Sequence, residues 1–284
     1  MRLILILIAS LLSTACSMDK MLVRSSVPLI EGGVEALNQE TDLDLAEDSI
    51  PSNLNVLLGM ITIDPENAVL HTYASQAFYG LAYGFNEDSR PQRASDFYVR
   101  GMQHGITALE LNGASNLIDS TIVQFENEVG KMRDNDVAAM FWAASCWAKW
   151  IDMHRDEPEA IAALPRTAAL MQRVIELDDT FYYGGAHMFF GVYYGSRAPS
   201  IGGDYDKSRK HFDRAREITN GRLLIPDLLQ AQFLARQQLD REQFHSLLTG
   251  IIDAPDDLMP ELGLQNQIAK RKAAALLKKE NEWF

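Results

Sequence analysis

GGAHMFFGVYYGSRAPSIGGDYDKSRKHFDRA, residues 184–215, is the stretch whose reading decides the fold. Apolar and aromatic residues recur at three- and four-residue spacing in its first half, and again among charges in its second, with SRAPSIGGD between them. That pattern is two helices joined by a connection. Paired glycines before an aspartate also suit a loop that cradles a phosphate, but no strand-like alternation precedes Gly202 and no G-K-[ST] follows Gly203. The spacing predicts instead a turn at Gly202 and Gly203, with Asp204 capping a helix that runs through His211 and Ala215.

The same helical period recurs along nearly the whole chain, with prolines and glycines falling between the periodic segments. The expected fold is therefore all-α, a helical-hairpin bundle of roughly a dozen helices. His187, Phe190, Gly191 and Tyr194, followed by Ser208, Phe212 and Ala215, resemble the two helices of a tetratricopeptide repeat. A second copy has Gln76, Tyr79, Gly80 and Tyr83, then Gly101, Gly105 and Ala108. A third has Met140, Ala143, Ala144 and Trp147, then Thr167, Met171 and Val174, and the segments ITIDP, LELNG and IELDD repeat one helix exit. Four cryptic TPR-like repeats are expected at about 25–66, 67–113, 133–180 and 181–220, with C-terminal helices over 222–284 completing a single domain, 25–284. Small residues such as Gly80 and Gly191 are expected to let paired helices approach, while Tyr83, Ala144, Trp147, Tyr194, Phe212 and Ala215 fill the space between them.

The chain opens MRLILILIASLLSTACS, one positive residue before an apolar run too short to span a bilayer. Residues 1–15 read as a signal peptide, and Leu12 to Cys16 resembles a bacterial lipobox, which makes Cys16 the lipidation site and 16–24 a short linker. Ser17 after the cysteine implies the outer membrane, with the domain in the periplasm; the other reading is an ordinary signal cleaved after Ala15. With Cys16 acylated, Cys146 has no partner for a disulfide within the chain and reads as a small buried residue. Asp and Glu number 39 against 26 Lys and Arg, a formal net charge of −13, which excludes nucleic acid as a partner.

No motif for catalysis or metal binding emerges. The six histidines are dispersed, H-E-x-x-H and G-x-S-x-G are absent, and TDLDLAED (41–48) lacks the central glycine and closing glutamate of a calcium loop. The expectation is a protein that is not an enzyme, with no metal and no cofactor.

The order of segments resembles the T component of tetratricopeptide-associated TRAP transporters, the TatT-like proteins. The residues that carry the resemblance are DSIPSNLNVLLGMITIDPEN (48–67), AMFWAASCWAKWI (139–151), the opening stretch 184–215, and the tail 240–284 with Pro260, Glu261, Asn266, Ala269 and Lys270. The resemblance implies a periplasmic lipoprotein of cryptic tetratricopeptide repeats, often trimeric. It implies as partner the substrate-binding protein of a tripartite ATP-independent periplasmic transporter, driven by an ion gradient.

Aligned as such repeats, the first helices turn Ala74, Ala77, Leu81 and Gly84, then Ala138, Phe141, Ser145 and Ala148, then Gly185, Met188, Val192 and Gly195, toward the concave side. None is charged, so the groove is expected to hold or pass an apolar ligand, lined by Leu81, Phe85, Phe141, Met188 and Val192. Helices from 222–284 filling that groove as ordinary core is the competing arrangement. An outer-membrane scaffold that recruits cell-wall enzymes is the competing function.

Overall fold

A computed structural model describes residues 18–284, so the signal segment 1–15 and the expected lipidation site Cys16 lie outside the described residues. Residues 18–25 form helix α1, and α2 (Val27–Gln39) follows after Ser26. The Asp42 carboxylate accepts the backbone N–H groups of Asp44 and Leu45 to start α3 (Leu43–Ile63). Next come α4 (Ala68–Leu81), continued by a π-helical turn over Ala82–Asn86, and α5 (Pro91–Leu111). A reciprocal capping box between Thr121 and Gln124 opens α6 (Ile122–Val129). Then follow α7 (Val137–Met153), α8 (Pro158–Ala162), α9 (Leu164–Leu177), α10 (Phe181–Gly195) and α11 (Tyr205–Thr219). The chain ends with α12 (Ile225–Leu229), which continues as a π turn over Gln230–Ala235, then α13 (Arg241–Asp253), α14 (Gly263–Leu277) and α15 (Glu280–Trp283). The protein is an all-α bundle, with no strand among the described residues.

Each long helix packs on the one before it: α5 on α4, α7 on α5, α9 on α7, α10 on α9 and α11 on α10. Helix α7 is apolar on nearly every side and accordingly is buried from Val137 to Ile151, apart from Ala138 and the stretch Ala148–Trp150, which are partly exposed. Glycines set its distance from α5. A methyl at Gly105 would stand 2.6 Å from Cβ of Ala143, and one at Gly101 would stand 2.6 Å from Sγ of Cys146. Gly191 takes the ring of Phe212 in the same way, 2.6 Å from where its methyl would be, whereas Gly80 has nothing within 4 Å and borders open space. In the first hairpin the close approach is thus made by the returning helix α5, not by α4. Helices α12 to α14 close around a core of their own that includes Leu228, Phe244, Leu248 and Ala269.

The SRAPSIGGD connection is a compact turn. Gly202 is left-handed at φ 90°, a Cβ on Gly203 would meet the Arg197 carbonyl oxygen, and the Asp204 carboxylate accepts the backbone N–H of Lys207 at 3.0 Å. At the other end of α10 the backbone is strained: Tyr182 and Tyr183 hold φ of 44° and 59° ahead of Gly184 at 78°. Left-handed bulky residues cost about 1–2 kcal/mol each and persist only where the surroundings fix them.

Candidate functional site

Chain reversals between successive packed helices leave α4, α7 and α10 running in one direction, and Tyr79 meets Trp142 at 5.5 Å while Tyr182 meets Trp142 at 4.6 Å. The facing sides of these helices do not close on each other. Gln76, Ala77 and Gly80 from α4 and Ser145 and Ala148 from α7 are too small or too recessed to fill the space, and a cavity of about 1090 Å³ lies between them and Met188 and Val192 of α10. That is just above the ~300–1,000 Å³ range of small-molecule sites. The remaining wall comes chiefly from α2 through Ile30 and Val34, from α3 through Ile50, Leu54, Leu57 and Met60, from α14 through Leu264 and Ile268, and from Leu229 and Phe233 at the α12 π turn. The C-terminal helices therefore form one side of the space and leave it open.

Of the residues expected to line a groove, Phe85, Phe141, Met188 and Val192 stand in the cavity wall. Leu81 does not. The wall-facing side of α4 runs Tyr73, Gln76, Ala77, Gly80 and Tyr83, one residue ahead of the side expected from the repeat alignment, so Leu81 turns into the core beside Phe78, Ala94 and Tyr98. Phe85 reaches the wall from within the π turn, a wider helical turn that recurs at functional positions. Phe141 packs its ring where a methyl on Gly185 would otherwise stand, at 2.4 Å, and the strained Tyr182 lies against both Phe141 and Trp142.

The expected packing residues are spread through the bundle. Tyr83 is part of the cavity wall and stacks on Tyr79 at 5.7 Å. Ala144 and Trp147 are buried, with Trp147 edge-on to Phe125. Tyr194 stacks on Phe190 and His211, Phe212 lies against Gly191, and Ala215 is fully buried beneath Gly184.

Charge gathers at the far end of α7. The Lys149 ammonium stands 2.7 Å from Glu87 and 3.7 Å from Asp152, while Lys272 of α14 reaches Glu87 at 3.3 Å and Asp88 at 2.9 Å. Tyr98 donates to the same Glu87 carboxylate at 2.7 Å. Burial alone raises the Glu87 pKa, but Lys149, Lys272 and the Tyr98 hydroxyl outweigh it and hold the carboxyl below its ordinary range. Burial opposes the Lys149 charge too, and the two carboxylates overcome it, so this lysine sits above the usual lysine range. The Tyr83 hydroxyl has no hydrogen-bond partner among the described residues, and burial pushes its pKa up. Glu87, Lys149 and Lys272 come from three distant segments, and no spacing in the sequence announces that they meet.

Two histidine pairs occupy matching places in two hairpins. Nδ1 of His71 in α4 lies 3.0 Å from Nδ1 of His104 in α5, and Nδ1 of His187 in α10 lies 2.9 Å from Nδ1 of His211 in α11. Burial, then the neighbouring ring, lowers His104 and His211 to about 4. Both pairs are outside the cavity wall. No group of three His, Cys, Asp or Glu side chains is placed to hold a metal ion among the described residues, and none of the described helices is long and apolar enough to cross a membrane.

An all-α protein with a large apolar cavity among its described helices is the class that fold and site define. The chain matches the family model described as TRAP transporter T-component over residues 39–284, and it belongs to that family. The matched span takes in every wall of the cavity except the one supplied by α1 and α2. No curated protein is similar enough to this chain to be matched.

Proposed function

We propose that this protein is the periplasmic T subunit of a TRAP-type solute transporter. It binds the transporter's substrate-binding protein and holds or passes an apolar small ligand through the space between α4, α7 and α10. The observation that carries this reading is the cavity itself: a space of about 1090 Å³ with an almost wholly apolar wall, in a chain of this family. In this reading Cys16 carries the lipid that tethers the protein to the outer membrane, and the subunit acts by binding, with no catalysis and no cofactor. The paired helices α4–α5, α7–α9 and α10–α11 are cryptic tetratricopeptide units. Supporting that repeat reading are their successive packing and the histidine pairs that recur at corresponding positions of the first and third. A homotrimer is part of the same proposal.

The test is to cross-link the tethered protein in its native envelope, recover it, and identify both the proteins and the small molecules that come with it by mass spectrometry. One dominant periplasmic solute receptor is the expected result. Recovery of cell-wall hydrolases and synthases without such a receptor would replace the transporter reading with that of an outer-membrane scaffold.

A further inference from the structure

Lys149, Asp152, Arg155 and Arg197 are the charged residues that border the cavity among those described, three cations against one carboxylate in a protein whose overall balance is 39 acids to 26 bases. Each stands at or just beyond the C-terminal end of its helix. Lys149 and Asp152 lie on the last turns of α7, Arg155 just beyond it, and Arg197 just beyond the end of α10, which runs alongside α7 in the same direction.

Three of the four satisfy one another or their neighbours. Arg155 pairs with Asp152, and Lys149 is held by Glu87 and Asp152. Arg197 differs. Its Nε and one terminal nitrogen donate to the Tyr193 carbonyl at 3.2 and 2.9 Å, its guanidinium lies 4.3 Å from the centre of the Tyr193 ring, and it pairs with no carboxylate among the described residues. A guanidinium has five N–H donors, and one carbonyl uses two of them. A partly buried cation with spare donors on the wall of an apolar space favours an anion there, because charge-assisted hydrogen bonds strengthen where water is scarce. From that end the wall continues as Val192, Met188 and Phe141, without charge.

Resting on the reading of the cavity as a ligand site, we propose that its occupant is an anionic amphiphile: Arg197 holds the charged head, and the apolar body lies along α7 and α10. A neutral apolar molecule leaves the Arg197 donors without a partner, and a cationic amphiphile places like charges together, so the site discriminates by head group.

Titrating the purified protein with dodecanoate, dodecanol and dodecyltrimethylammonium below their micelle concentrations, with displacement of a fluorescent apolar probe as readout, tests this. Dodecanoate is expected to bind tightest, and Arg197→Gln to weaken dodecanoate about 10- to 100-fold, as loss of a charge-assisted hydrogen bond predicts. The same variant should leave dodecanol unchanged. Arg197→Lys, which keeps the charge, should retain part of the preference, and it keeps the test open if the glutamine variant disturbs the turn. Val192→Trp, which narrows the wall between Arg197 and Met188, should weaken binding of all three probes. Equal binding of dodecanoate and dodecanol, or tighter binding of the cation, would overturn the head-group assignment and leave the ligand cavity standing. Binding of none of the three would overturn the ligand reading along with it.

Discussion

Replacing Glu87 with Gln tests whether the charged cluster holds α4, α7 and α14 together. The carboxylate takes Lys149 at 2.7 Å, Lys272 at 3.3 Å and the Tyr98 hydroxyl at 2.7 Å, so the amide leaves two cations facing a neutral group. Breaking a buried ion pair from one side costs about 3–5 kcal/mol. Here Lys272 keeps Asp88 at 2.9 Å and Lys149 keeps Asp152 at 3.7 Å, which places the expected loss near the lower end, at about 3 kcal/mol. For a chain of this size that corresponds to a fall in Tm of roughly 6–12 °C. Urea unfolding followed by circular dichroism reads the loss directly, and pairing Glu87→Gln with Lys149→Met should recover part of it, since the second change removes the stranded charge. The pH dependence has a fixed sign. Glu87 is held below its ordinary range when folded, so its contribution is complete above the unfolded carboxylate value of about 4.3 and is lost as pH falls through the folded value. A Glu87→Gln protein within about 0.5 kcal/mol of the parent, the usual range of surface substitutions, would refute the argument that this cluster is structural.

Two glycine substitutions should move stability in opposite directions. Gly105→Ala drives a methyl to 2.8 Å of the Ala143 Cα and should cost about 1–3 kcal/mol by overpacking, while Gly80→Ala meets open space within a helix and should gain about 0.5–1 kcal/mol, both read by denaturant midpoint. His104 and His211, lowered to about 4, should remain neutral through pH 6 in imidazole NMR titrations. Because folding depresses these two values, the stability they contribute is complete above the unfolded histidine pKa of about 6.5 and falls as pH drops from there toward 4. The Cys146 thiol, fully buried and pushed up to about 12 by that burial, should resist a disulfide thiol reagent in the folded protein and react only as fast as the protein unfolds.

What the sequence reveals is whatever one helix or one hairpin decides. The helical period, the Gly202 turn, the Asp204 cap and the Gly191–Phe212 contact all follow from residues within a span of 32 positions, 184–215, and each is present in the structure. The face of α4 is misplaced by one residue, because tetratricopeptide spacing applied to the loosely matching Gln76–Tyr83 segment does not fix a rotation of 100°. Leu81 and Gly80 exchange roles as a result: the leucine enters the core and the glycine the cavity wall. Three further features depend on contacts between distant segments and leave no local pattern. They are the left-handed turn at Tyr182 and Tyr183, the meeting of Glu87 with Lys272, and the passage of α2 along the cavity.

A large apolar space is unstable unless its walls are prevented from moving inward, since closing it would restore both dispersion contacts and burial. In this protein the walls formed by α7, α10 and α14 are braced from behind. Helix α7 is drawn onto α5 by the contacts at Gly101 and Gly105, and α10 onto α11 by those at Gly191 and Gly195, where Ser208 also donates to the Gly191 carbonyl at 2.7 Å. The cluster of Glu87, Lys149 and Lys272 pins α14 to the far end, and Gln265 of α14 donates to Asn38 of α2 at 2.8 Å at the near end, close to the strained Tyr182. Moving α7, α10 or α14 inward would break a glycine-mediated contact or separate the paired charges, and so the small residues Ala77, Gly80, Ser145 and Ala148 border a space that the bundle does not close. The glycines and the charges thus serve the cavity from outside it, and substitutions there should alter ligand retention as well as stability, whereas Gly80→Ala should intrude on the space while leaving the bracing intact.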